Sequence, residues 1–164
     1  MELGIQGLNS ISRFDATLPL ARLAEELGYG SWWAQDHVVL PTTAGSPIDP
    51  ATPVVDPIVH LAHVAAVTSR MTLGTAVIIL PQRNPVVLAK QAASLDVLSG
   101  GRRPTPEEIP AMPLEPVDAA FAERCAALGV DRLVLRPEAG EPGVSGDPDA
   151  LARFLERHAH LGEM

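Results

Sequence analysis

Three strand-then-helix units follow one another in the first hundred residues, and this order constrains the fold more than any other feature of the sequence. Short apolar runs at residues 3–8, 30–36 and 71–81 are predicted strands. Each one precedes a segment whose apolar residues recur at helical spacing. Such alternation predicts parallel strands joined by right-handed helical crossovers, which is an α/β fold.

Residues that favour helix ends mark the three helices. Asp15 or Thr17 is expected to cap the first helix, and Gly28 is expected to end it. Asp56 and Asn84 each precede a proline, which is the arrangement typical of an N-cap followed by the first helical residue.

The alternation stops at a segment rich in proline. Residues 103–116 hold five prolines, which exclude a central strand or a helix interior, so we predict an extended linker there. Residues 117–164 are predicted to form a helix, a strand and a closing helix. The predicted organisation is therefore β/α units at 1–102, a linker at 103–116 and a helix-strand-helix unit at 117–164.

Composition excludes several classes of function. The formal net charge is −8 and no basic block is present, so we expect no binding to nucleic acid. The longest apolar run is too short to span a bilayer, and no signal peptide is recognisable at the N-terminus. A single cysteine, Cys125, excludes an internal disulfide framework, is expected in the core and fits a cytoplasmic protein.

Several motifs together resemble one enzyme family. The stretch "GYGSWWAQDHVVLP" is followed by "SR-x-x-LGT", "RNP" and "LDVLSGGR". In combination they resemble the N-terminal third of the bacterial-luciferase-like oxidoreductases. The resemblance is strongest to the members that use the deazaflavin F420, and other members use FMN. F420 is therefore the first choice of cofactor and FMN the second.

The family fold is a (β/α)8 TIM barrel, which takes about 250 residues. This chain has 164 residues. The resemblance therefore implies a partial barrel of about four β/α units, the first three plus the last, with parallel strands in the order last-one-two-three. Such a half-barrel is expected to have two unpaired edges and an exposed inner face. We therefore expect a homodimer, or pairing through the exposed strand edges.

Asp36 and His37 follow the second predicted strand, at the end where barrel enzymes carry their chemistry. From the residues alone, this pair is either functional or a polar loop pair that ends a strand. The resemblance implies that both side chains line the cofactor pocket. There His37 would act as general acid or base, and Asp36 would bond to the cofactor ring or orient His37.

The resemblance implies two further cofactor contacts. One is a non-prolyl cis peptide between Ala76 and Val77 behind the ring, with an ordinary trans strand as the alternative. The other is Gln6, which either faces the pocket or is a polar group at a strand end. No metal site is expected, because His60 and His63 lack further ligands and are predicted to lie on a helix surface or a subunit interface.

The resemblance thus implies a flavin- or F420-dependent oxidoreductase that transfers hydride to, or inserts oxygen into, a small organic substrate. The alternative is a non-catalytic, truncated remnant that acts as a binding or dimerisation module. Whether the chain is an enzyme is left open by the incomplete barrel.

Overall fold

The structure is a computed structural model, and it describes residues 1–10, 13–37, 40, 42, 51–105, 110–113, 116–137 and 147–163. Within these ranges the strands are β1 (Glu2–Gln6), β2 (Ser31–Ala34), β3 (Thr72–Thr75), β4 (Pro110–Ala111) and β5 (Arg132–Leu135). The helices are α1 (Thr17–Glu26), α2 (Pro57–Ala65), α3 (Pro85–Ser99), α4 (Ala119–Ala127) and α5 (Pro148–His158). The predicted α/β alternation is therefore confirmed.

The strands form one parallel sheet in the order β3-β2-β1-β5-β4. The predicted order last-one-two-three is confirmed, with β5 as the last strand beside β1. The sheet curls into half of a barrel, with helices against it. Register places Ile5 beside Trp32 and Leu135, so that apolar residues run across the sheet in rows.

The outer face of the sheet packs against the helices and forms the hydrophobic core. Leu3, Ile5 and Trp32 point into it, and all are 2% exposed or less. The core also buries Tyr29, whose hydroxyl donates to the Leu155 carbonyl at 3.1 Å, and Cys125 lies within the core as predicted. Burial of these apolar surfaces is the main favourable term for the fold.

The inner face is covered, which corrects the expectation of an exposed one. Trp33, Arg132 and Val134 lie on this face, and each is 5% exposed or less. Trp33 donates from its indole nitrogen to Ser31 Oγ at 2.9 Å, and the Arg132 guanidinium lies 5.6 Å from the Trp33 ring centroid. Arg132 is also ion-paired with Glu2. Aromatic and charged groups therefore fill the inner face near the amino ends of the strands.

Both outer edges of the sheet are partly paired, which corrects the expectation of two unpaired edges. The Leu73 amide at the edge of β3 donates to the Arg102 carbonyl at 2.9 Å. At the other edge, Pro110 and Ala111 of β4 pair with β5. A proline is tolerated there because an edge strand needs only one side of its backbone for pairing. The predicted linker thus begins at one edge of the sheet and reaches the other.

The predicted caps of α2 and α3 are confirmed. Asp56 accepts from the Ile58 and Val59 amides, and Asn84 accepts from the first free amides of α3. The predicted cap of α1 is wrong, because Ala16 is the N-cap and makes no side-chain bond. Asp15 lies in a 3-10 turn before α1 and is instead ion-paired with Arg13 at 2.7 Å.

Helix α3 is the least buried of these helices. Ser99 is its one buried residue, whereas Val86, Val97 and Leu98 are 74–80% exposed. A cleft of about 260 Å³ separates α3 from β3 and α2. The apolar side chains of α3 are not confined to one face, and a helix of this kind is usually buried. The exposed apolar surface of α3 is therefore available for contact with another surface.

Among the parts of the chain that the structure describes, no helix has both the length and the apolar character needed to cross a membrane.

Candidate functional site

The carboxyl ends of β1, β2 and β3 lie side by side, because the three strands are parallel neighbours. Gln6 at the end of β1 is in register with Trp33, and Ala34 at the end of β2 is in register with Thr75. His37 follows three residues after the end of β2. The structure therefore brings the segments that carry the predicted site residues to one edge of the sheet.

Asp36 is 1% exposed, and its carboxylate is held by the protein itself. It accepts from the Ile79 amide at 2.9 Å, from Arg83 Nε at 2.8 Å and from Arg83 Nη2 at 2.6 Å. These hydrogen bonds, led by that of Arg83, lower the pKa of Asp36 against the opposing effect of burial. Asp36 is therefore a buried carboxylate whose partners lie on the segment after β3.

Arg83 is a residue of this site that sequence reasoning missed. Its guanidinium is 11% exposed, binds Asp36 through two nitrogens and reaches Asp56 Oδ2 through Nη1 at 2.9 Å. The two carboxylates raise its pKa, with the Asp36 hydrogen bond as the largest cause. The motif "RNP" contains this arginine, but only Asn84 has an obvious local role as a cap.

Asn9 is a second residue that sequence reasoning missed. It is fully buried in the 3-10 turn after β1. Its amide nitrogen donates to the Gln35 and Val55 carbonyls at 2.8 Å each, and its amide oxygen accepts from the Gln35 amide at 3.1 Å. Asn9 thus joins the end of β2 to the residues that precede α2. No sequence pattern marks it, because its partners are 26 and 46 residues away.

Gln6 carries an unpaired acceptor at the end of β1. The residue is 6% exposed, and its buried side-chain oxygen Oε1 has no hydrogen-bond partner among the residues that the structure describes. Leu3 and Ile5 point to the helical side, so Gln6 lies on the inner face with Trp33. Leaving a buried polar atom without a hydrogen-bond partner costs free energy, so this oxygen is a candidate contact for a ligand that brings a donor.

His37 is half-buried, directly after the fixed Asp36. No hydrogen bond joins the two side chains within the described ranges, so a role for Asp36 in orienting the imidazole through direct contact finds no support. The predicted contact of Asp36 with the cofactor ring stays a prediction. It would have to use the Asp36 oxygen lone pairs that Arg83 and Ile79 leave free.

The predicted cis peptide between Ala76 and Val77 is wrong, since no peptide bond in the described residues is cis. β3 ends at Thr75, and the Ala76 amide donates to the Ala34 carbonyl at 2.9 Å. Val77 is 54% exposed. The backbone then leaves the sheet and enters a 3-10 turn at Leu80–Gln82. Whether Ala76 and Val77 contact a cofactor stays a prediction.

The predicted surface position of His60 is wrong. It is 2% exposed and accepts a hydrogen bond from Trp32 Nε1 at 2.9 Å through Nε2. Burial is the main cause that lowers the pKa of His60 to about 4, so the imidazole is neutral at pH 7. His63 is exposed, as predicted for a surface position. Within the described ranges, no group of histidine, cysteine and acidic side chains is arranged to hold a metal ion.

The residues at the strand ends fit an aromatic cofactor ring that carries N–H groups. Gln6 Oε1 offers a buried acceptor, and the neighbouring Trp33 offers an apolar surface with its polar nitrogen already satisfied by Ser31. The half-buried His37 adds an imidazole. A deazaflavin or flavin ring can use both kinds of contact.

The family model described as luciferase-like monooxygenase matches residues 2–103. A luciferase-like monooxygenase of Escherichia coli (strain K12) is 33% identical, over 59% of this chain and 26% of that protein. An uncharacterized protein of Mycobacterium tuberculosis (strain ATCC 25618 / H37Rv) is 40% identical, over 50% of this chain and 33% of that protein. The matched part of the chain thus spans a third or less of each of these relatives.

Three solved structures are similar to this one. Monooxygenase RslO1 from Streptomyces bottropensis has a TM-score of 0.52 and 21% identity, over 96% of this chain and 42% of that chain. The oxygenating constituent of 3,6-diketocamphane monooxygenase from Pseudomonas putida, in complex with FMN, has a TM-score of 0.50 and 17% identity, over 97% and 38%. A coenzyme F420 dependent tetrahydromethanopterin reductase from Methanopyrus kandleri has a TM-score of 0.49 and 24% identity, over 76% and 30%.

The first two of these likenesses show a shared fold that extends into the C-terminal part of the chain. The family model, in turn, covers more than half of the sequence. The protein therefore belongs to the luciferase-like monooxygenase family.

Proposed function

We propose that this chain is a flavin- or F420-dependent oxidoreductase that acts on a small organic substrate, with F420 as the first choice and FMN as the second. The observation that carries the proposal is the buried, unpaired Oε1 of Gln6 at the end of β1. Membership of the luciferase-like monooxygenase family supports an oxidoreductase of this general kind. The single, buried Cys125 agrees with the cytoplasmic location that we propose with it.

When bound, F420 supplies hydride transfer, and FMN supplies hydride transfer or, once reduced, oxygen insertion. Gln6 Oε1 accepts a hydrogen bond from an N–H group of the ring and thereby orients it. Trp33 excludes water from the inner face below the ring. The imidazole of His37 would hold or move a proton at a ring nitrogen, because histidine is the side chain that most often serves as general acid or base.

A second candidate function is a non-catalytic binding or dimerisation module. The exposed apolar residues of α3 favour it, because a surface of this kind usually marks an interaction site. Cofactor binding separates the two candidates, since a module of this kind needs no ring-binding pocket.

Equilibrium binding of F420 and of FMN to the purified chain tests the proposal, with fluorescence as the signal. We expect saturable binding of one cofactor to the wild type. Gln6→Leu keeps the size of the side chain but removes the acceptor, so it should weaken binding about 10-fold without lowering stability. His37→Ala should also weaken binding.

His63→Ala is the matched control, because His63 is an exposed histidine on α2. It should bind like the wild type. Equal binding by wild type, Gln6→Leu and His37→Ala would contradict the proposed site. No saturable binding of either cofactor to the wild type, at concentrations well above micromolar, would favour the binding module.

A further inference from the structure

Three chain segments that are far apart in sequence meet at one guanidinium group. Arg83 lies between the 3-10 turn after β3 and the start of α3. It binds the Asp36 carboxylate at the end of β2 and the Asp56 carboxylate at the start of α2. Asp56 uses its other oxygen to cap α2, at 3.0 and 3.1 Å from the Ile58 and Val59 amides. The guanidinium therefore links the end of one strand, the start of a helix and the turn that follows the next strand.

A neutral amide makes a parallel link on the side of β1. Asn9 binds Gln35 and Val55, which are the residues immediately before Asp36 and Asp56. The Val55 amide also donates to the Asn9 carbonyl at 2.9 Å. Together the two links join residues 35–36, which follow β2, to residues 55–56, which precede α2.

We propose that Arg83 is a positioning residue: it locks Asp36 in place and thereby sets the position of His37, the next residue in the chain. The proposal rests on the oxidoreductase function proposed above, in which His37 touches the cofactor or substrate. In this arrangement the Asp36 carboxylate binds Arg83, and Gln6 and His37 provide the contacts to the ring.

The geometry of the contact explains why an arginine stands at this position. Nε and Nη2 bind the two oxygens of Asp36 in parallel, while Nη1 points to Asp56. Only the planar fork of a guanidinium provides this bidentate contact and a third bond at the same time. A lysine offers the same charge from a single flexible ammonium group, so it cannot fix the orientation of the Asp36 carboxylate in this way.

Nuclear magnetic resonance of the His37 imidazole tests the proposal in the full chain without cofactor. The His37 side-chain signals are identified by their loss in His37→Gln. We expect Arg83→Lys to shift and broaden these signals, and to leave the signals of the exposed His63 unchanged. In the same variant, binding of F420 or FMN should weaken about 10-fold, because a small displacement of a contacting group is costly.

Arg13→Lys is the matched control. Arg13 makes the same two-nitrogen contact with Asp15, through Nε at 2.9 Å and Nη2 at 2.7 Å, but on the exposed surface. It should change neither the His37 signals nor cofactor binding. Asp56→Asn is the second variant, for the case that Arg83→Lys fails to fold, because asparagine caps helices as well as aspartate does. It removes only the charge on one side of Arg83, and the His37 signals should again shift.

Unchanged His37 signals in whichever of these variants folds would overturn the proposal. The proposed function and the positioning role fail in different ways. Shifted His37 signals together with a wild type that binds neither cofactor would support the positioning role and contradict the oxidoreductase. Cofactor binding by the wild type, with unchanged His37 signals in Arg83→Lys, would support the oxidoreductase and contradict the positioning role.

Discussion

Two buried polar side chains of this protein differ in charge state, and their surroundings explain why. Asp36 stays ionised because the Arg83 guanidinium and the Ile79 amide replace the water that its carboxylate has lost. His60 stays neutral chiefly because burial disfavours its charged form, and its described partner, the Trp32 indole, is a donor that carries no charge. The same burial therefore has different consequences for an acid with a cationic partner and for a histidine without an anionic one.

The lowered pKa of His60 makes stability depend on pH. The pKa of His60 is 6.5 in an unfolded chain and about 4 in the folded one. Between these two pH values, the unfolded chain therefore binds a proton that the folded chain does not. This contribution to stability is therefore complete above pH 6.5 and is lost as the pH falls towards 4, by about 3 kcal/mol in total. Urea unfolding at several pH values measures this loss.

His60→Gln keeps a polar side chain beside Trp32 but cannot be protonated. We expect the variant to be less stable at pH 7 and to lose less of its remaining stability than the wild type between pH 6.5 and 4. His63→Gln, on the exposed side of α2, removes only the smaller of the two causes that lower the pKa of His60, so its dependence on pH should stay close to that of the wild type. Parallel pH curves for the wild type and His60→Gln would contradict the neutral, buried state of His60.

At the scale of single elements, α2 and α3 differ in how much of their stability comes from the residues that cap their ends. α2 is held by its Asp56 cap and by buried residues that include Ile58, Leu61 and Val64. α3 has its Asn84 cap and the left-handed Gly100 at its other end, with a φ of 71°, but it buries only Ser99. The end signals of α3 therefore carry a larger share of its stability.

Asn84→Ala removes the acceptor for the Val86 and Val87 amides, which lie 3.0 and 3.2 Å from Asn84 Oδ1. We expect a loss of about 1 kcal/mol, which is the usual effect of removing an N-cap. Hydrogen exchange should show it as faster exchange at the first turn of α3, with the core strands unaffected. Asn84→Asp keeps the cap and serves as the control; equal exchange rates in Asn84→Ala and the wild type would refute the expectation.

At the scale of the whole molecule, the linker and the inner face show how a half-barrel sheet is shielded. The carbonyl of Arg102 and the backbone of Pro110–Ala111 occupy the two sheet edges that would otherwise attract other strands. Trp33 and Arg132 occupy the inner face. Among the described residues, four of the eight exposed large apolar side chains lie on α3, so we propose α3 rather than the strand edges as the homodimer interface.

Val97→Glu and Leu98→Glu place a charge in this surface of α3, where the wild-type side chains are 80% and 74% exposed. If two copies pack there, either variant should lower the dimer fraction at a given protein concentration, without unfolding the chain. Sedimentation equilibrium over a range of concentrations measures this fraction. Leu128→Glu is the control, because Leu128 is 83% exposed but follows α4. An equal effect of all three variants, or a wild type that stays monomeric, would contradict the α3 interface.

The order of the strands, and the meeting of the candidate site residues at one edge of the sheet, were predictable because the family motifs are local in sequence. The cis peptide between Ala76 and Val77 and the surface position of His60 are contradicted by the structure, and no hydrogen bond joins Asp36 to His37 among the described residues. The surroundings of His60 and Asp36 are a matter of what each side chain contacts in space. Such contacts depend on partners 28 to 47 residues away, such as Trp32 for His60 and Arg83 for Asp36.

The sequence by itself determined the α/β alternation, the caps Asp56 and Asn84, and the family, because period, end signals and motifs are written within a few neighbouring residues. Only the tertiary structure decided that Arg83 joins Asp36 to Asp56 and that Asn9 joins the end of β2 to the start of α2. It also decided that Gln6 keeps an unpaired acceptor in the sheet. The physical reason is that burial and electrostatic pairing arise only when strands that are distant in sequence lie next to each other.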